Sequence, residues 1–137
     1  MAEKYIHQAL FDYLVAEADV HAVVADRIFW GVYPNYNTDP PTMPYVIFNI
    51  VSDTQESLAL GSADTGRPRI SISIMGEQDD ISVMRVIKNK LKNYAGTMQG
   101  VKIEWSDCSN SVSFLGDLTT NIWNHHFDWL PVYEEIQ

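Results

Sequence analysis

The chain has 137 residues, a length that suits one domain with a core of its own. Apolar residues make up 46% of it and aromatic residues 12%, which excludes a disordered chain, and no apolar run approaches the roughly 20 residues of a membrane-spanning helix. Eighteen acidic residues against nine basic ones give a net charge of −9, which excludes a broad grip on nucleic acid, because affinity for a phosphate backbone comes from Lys and Arg displacing counterions.

From the amino terminus, Tyr5, Ile6, Ala9, Leu10, Tyr13 and Leu14 recur at helical spacing and predict an amphipathic helix over Lys4 to Glu17. Asp19 is expected to cap a second short helical turn that runs to Val24. Residues 33–44 hold four prolines among turn-forming residues, so a central strand is excluded there. The period then changes to two. Tyr45 to Ser52 reads as a buried strand, and Arg67 to Met75 alternates Ile70, Ile72 and Ile74 with Arg67, Arg69, Ser71 and Ser73. The two strands and the polar stretch between them predict a long hairpin.

Asp79 and Asp80 open a second amphipathic helix, where carboxylates suit the positive end of the helix dipole. Ile81, Met84, Ile87, Leu91 and Tyr94 line one side, and Gly96 is the expected stop. Val101, Ile103 and Trp105 mark a third strand, and Thr119 to Tyr133 a fourth, with Trp123, Phe127 and Trp129 on one face. Together these elements predict an α+β fold: a mainly antiparallel sheet of about four strands, with an amino-terminal and a central helix packed on one face. One domain spans residues 1–137.

The order and spacing of several segments resemble the bacteriophage tail-completion family, also called tail-terminator or head–tail joining proteins. The resembling segments are the first helix, Ala25-Asp26-Arg27-Ile28 leading to Gly31-Val32-Tyr33-Pro34, and Met43-Pro44-Tyr45-Val46-Ile47-Phe48. They continue with Arg67-Pro68-Arg69-Ile70-Ser71-Ile72, the helix from Ile81 to Tyr94, and the aromatic strand sequence Phe127-Asp128-Trp129. The chain departs from the family in a longer proline-rich loop at 33–44 and a polar hairpin tip at 110–121. The resemblance implies a virion protein that forms a ring, commonly hexameric, at the head-proximal end of a phage tail. Its partners would be further copies of itself, the tail tube protein and the head completion or connector protein. DNA would pass through the lumen without specific binding, and an acidic lining would not retain it. Assembly in the host cytoplasm fits the lone Cys108 and the absence of a secretory pattern at Met1-Ala2-Glu3-Lys4.

Candidate site residues follow from both lines of reasoning. Leu58 and Leu60 sit in an otherwise polar connection, and two leucines there call for burial. They either fold back on their own domain or reach a neighbouring subunit or the tube. Arg67 and Arg69 share a strand face and are either interface cations or plain surface charges. Tyr33 and Tyr36 offer a connector-side contact. His125 and His126 point to opposite faces of a strand, which leaves His126 and Asp128 together, short of the three or four ligands of a zinc site. Cys108 has no base signature beside it and reads as a small half-buried residue. No catalytic, metal or cofactor motif is found, and no enzymatic activity is expected. Two other classes compete: an acidic DNA mimic, and a small ligand-binding or enzymatic α+β domain, which would show a deep pocket.

Overall fold

A computed structural model describes residues 5–31, 42–57, 64–117 and 121–135. Helix α1 (Ile6–Ala16) buries Ile6, Ala9, Leu10 and Leu14, the stripe that its spacing predicts. Tyr5 precedes it, its N–H donating to the Gln8 side-chain oxygen at 3.1 Å. Helix α2 (Ala18–Val24) buries Val20 and Val24. Glu17 holds the position before it, so Asp19 lies in its first turn and does not cap it.

The sheet has six strands and is mixed, where the sequence predicts about four antiparallel ones. Its strands are β1 (Ile28–Trp30), β2 (Tyr45–Ser57), β3 (Asp64–Gly76), β4 (Gly96–Met98), β5 (Val101–Asp117) and β6 (Ile122–Glu135). Their order is β1-β2-β3-β6-β5-β4. The two additional strands have three residues each, too short to show a period of two. β1 runs parallel to β2, with Ile28 opposite Val46 and Trp30 opposite Phe48, and all other pairings are antiparallel.

Between β3 and β4 a 3-10 turn (Gln78–Asp80) leads into α3 (Ile81–Leu91), which buries Val83, Met84, Ile87 and Leu91. The helix stops at Leu91, before the predicted Gly96. Asn93 adopts a left-handed backbone (φ 58°), a conformation that Asn tolerates well, and Gly96 opens β4 instead. The polar tip placed at 110–121 is also shorter than predicted, because β5 continues to Asp117.

All three helices pack on one sheet face. Their apolar stripes share a core with Val46, Phe48, Ile70, Ile72, Ile74, Phe127 and Trp129. Each fully buried side chain of this kind stabilises the fold by about 1.5–3 kcal/mol over its exposed state. The opposite face carries no helix among the described residues.

The resembling segments touch one another. The Arg27 guanidinium donates to the carbonyls of Pro44 (3.0 Å) and Val23 (3.4 Å), and the Val46 N–H donates to the Arg27 carbonyl at 2.9 Å. Arg27 therefore ties the end of α2 to the start of β2 and sets β1 beside it.

Candidate assembly surface

The helix-free sheet face is built around one carboxylate. Alternation puts Arg69, Ser71 and Ser73 of β3 and His126 and Asp128 of β6 on this side, since Ile70, Ile72, Phe127 and Trp129 point to the core. Asp128 Oδ2 accepts from Arg69 Nε at 2.7 Å and from Asn110 Nδ2 at 3.0 Å, and Oδ1 accepts from His126 Nε2 at 3.0 Å. Asn110 reaches it because the β5 register breaks between Ser109 and Val112 and the Asn110 backbone is left-handed (φ 57°). A bulge re-aims a side chain in this way. Burial alone would raise the Asp128 carboxyl. The hydrogen bonds from Asn110 and Arg69 and the charges of Arg69 and His126 outweigh it and hold the group below the ordinary carboxylate range. Three strands are thus pinned at one point.

His126 Nε2 donates to the carboxylate, and Nδ1 on the other side of the ring faces Ser71 Oγ (3.3 Å) and Ser73 Oγ (3.2 Å). Asp128, His126 and Ser73 therefore stand in the order of a nucleophilic triad. The Arg69 guanidinium engages the carboxylate in this row, and the strands that carry the row commit their backbone N–H groups to sheet pairing rather than to an oxyanion hole. The arrangement organises a surface better than it activates a hydroxyl. On the core side, His125 is buried, with Nε2 donating to the Glu77 carbonyl at 2.9 Å and Nδ1 facing Ser113 Oγ at 2.8 Å. It satisfies itself there and ties the turn before α3 to the sheet.

Around the polar centre lie exposed apolar side chains: Trp105, Val112 and Phe114 on β5 and Val51 on β2. Of the four tryptophans, Trp129 is fully buried and Trp123 half-buried, whereas Trp30 and Trp105 are exposed. Trp30 stacks under His7 with ring centres 4.5 Å apart.

Of the residues singled out in the sequence, Leu58, Leu60, Tyr33 and Tyr36 lie outside the described residues. The backbone of Arg67 sits in β3 opposite Thr54, and Arg69 spends its charge within its own chain. The hairpin connection that carries Leu58 and Leu60 is not a free ribbon at its base, because Asp64, Thr65 and Gly66 pair with Glu135, Glu134 and Tyr133 of β6. Sequence reasoning joined His126 to Asp128 but missed Asn110 and the Arg69 contact, which depend on strand order. Cys108 is half-buried, and burial pushes its thiol up to about 11.

Among the described residues, no group of three or more His, Cys, Asp or Glu could hold a metal ion, and no helix is long and apolar enough to cross a membrane. Two open surface depressions of ≈ 430 Å³ are lined by Asp19, Ala22, Val86, Asn89 and Lys90, and by Met43, Glu77, Gln78, Asp79, Asn121 and Trp123. Neither lies over the Asp128 network.

No protein-family profile and no curated protein matches the chain. The fold is similar to that of a chain in the solved structure described as the virion of a native gene transfer agent particle. The match has a TM-score of 0.73 and 12% sequence identity, and it covers 94% of each chain. Likeness at that identity defines a shared fold.

Proposed function

We propose that this protein is a virion structural protein. It assembles as a ring, commonly hexameric in the tail-completion proteins that the sequence resembles, at the head-proximal end of a phage tail, where it ends the tail tube and joins it to the head connector. The observation that carries this reading is the end-to-end match to a chain of a gene transfer agent virion. The ordered resemblance of residues 25–48, 67–72, 81–94 and 127–129 to tail-completion proteins supports the finer role. The helix-free face, flat in its hydrogen bonding and rimmed by exposed apolar groups, suits contact with other virion proteins better than the binding of a small molecule. The protein works by assembly and has no catalytic role. A net charge of −9 suits a ring through which DNA slides.

The test is mass in solution by light scattering across a wide concentration range, with negative-stain microscopy and added tail tubes. Rings of roughly six subunits, alone or capping tube ends, are expected. A chain that stays monomeric and leaves tube ends bare overturns the reading.

A further inference from the structure

The two long outer strands of the sheet are left open over most of their length. β1 covers β2 only from Val46 to Phe48, and β4 covers β5 only from Val101 to Ile103. Among the described residues no strand pairs with the outer side of Asn49–Ser57 or of Glu104–Asp117. Open edges of this length are templates for another strand. One edge donor betrays the vacancy: the Cys108 N–H is satisfied by the side chain next to it, Asp107 Oδ1, at 2.8 Å.

The edges also fit each other. Three antiparallel steps separate β2 from β5, so the two run in opposite directions. A second copy placed beside the first, with its helices on the same side, would set β5 of one antiparallel to β2 of the next. The open runs overlap in height between two rungs. Ile50, Ile70, Trp129 and Cys108 share one rung, and Gln55, Gly66, Tyr133 and Ile103 share another. Between these rungs lie Val51–Thr54 on one edge and Glu104–Asp107 on the other, and each stretch contains a register irregularity. Joining them requires neither a flip nor a slide along the strands. A head-to-tail contact of this kind can close into a ring, whereas a slide would make it climb into a helix.

Side chains agree with this pairing. Val51 (55% exposed) and Trp105 (57% exposed) lie in that interval, one on each edge, and Trp105 stands next to core-facing Ser106, which puts it on the helix-free side.

We propose that copies of this chain join edge to edge, the open run of β5 in one copy pairing with that of β2 in the next, with Trp105 packing on Val51 across the joint. This rests on the ring reading above and names its subunit contact. Strand addition supplies main-chain hydrogen bonds, and the apolar pair supplies the register.

The test uses the full chain carrying Cys108→Ser, Asp107→Cys and Ser52→Cys, oxidised or treated with a short bis-maleimide at concentrations where rings are imaged. The expected result is a covalent ladder on a denaturing gel that ends at the ring's subunit number. Either single-cysteine chain should stay monomeric on the same gel, since its reactive counterpart lies on the other edge. Rings without a ladder overturn the edge joint and leave the ring reading standing. Neither rings nor ladder overturns both. As a second variant, Trp105→Asp should keep its thermal melt, because the residue is exposed, and raise the concentration needed for assembly at least tenfold. Unchanged assembly of that variant overturns the proposed packing.

Discussion

Arg69 and Asp128 form an ion pair across neighbouring strands in which the cation is half exposed and the carboxylate is 1% exposed, Nε to Oδ2 at 2.7 Å. The exposed member is the more dispensable as a surface and the more consequential as a partner. Removing it leaves a buried carboxylate with fewer donors. Arg69→Ala is expected to lower unfolding stability by about 1–3 kcal/mol, and Asn110→Ala by a smaller amount in the same direction. Urea denaturation of each variant checks this, and two variants as stable as the parent would remove the network from the account of the fold.

The same carboxylate sets a pH dependence. Its folded-state pKa lies below the ordinary value, so the unfolded chain takes up the proton more readily. The stabilisation is therefore complete above the ordinary aspartate range and is lost as the pH falls through the folded-state value. The stability gap between the parent and Asp128→Asn should narrow as the pH falls below about 5. Paired denaturation curves at several pH values measure that gap directly.

Arg27 links α2 to the start of β2 through the carbonyls of Val23 and Pro44. Arg27→Met keeps much of the apolar stem and removes both hydrogen bonds, and each such bond contributes about 0.5–1.5 kcal/mol or somewhat more when the donor is charged. The loss should be local. Hydrogen exchange is expected to accelerate at Ile28–Trp30 and Val46–Phe48 while the amides of β6 keep their protection. Uniform acceleration throughout the sheet would contradict this assignment.

Burial raises the Cys108 thiol to about 11, from an ordinary value of 9.0. A rise of that size cuts the thiolate fraction about a hundredfold near neutral pH, and the thiolate is the reactive species. Iodoacetamide should label the folded chain about a hundred times more slowly than the urea-unfolded chain. Equal rates would show Cys108 to be open.

Leu58 and Leu60 remain the strongest candidates for an arm beyond the paired base of the β2–β3 hairpin. Replacing both with Ser should weaken ring formation or tube capping while the thermal melt of the monomer is unchanged. Assembly at the parent concentration would return these leucines to their own domain.

The sequence by itself determined what depends on neighbours a few residues away. The burial stripe of α1, the burial of Met84, Ile87 and Leu91 on α3, the alternation of Ile70, Ile72 and Ile74, and the opposite facing of His125 and His126 all follow from the local periods of helix and strand, whereas the burial of Val83 in place of Ile81 does not. Tertiary structure alone decided what depends on strand order. It set β3 against β6 and so brought Arg69 to Asp128. It turned Asn110 inward through a bulge and gave β1 and β4 the neighbours that make three residues a strand. It also left Trp30 and Trp105 outside the core, since a tryptophan's burial depends on what packs over it and its own sequence neighbourhood carries no record of that. The open edges of β2 and β5 belong to the same class, because an edge exists only once every other strand has found its place.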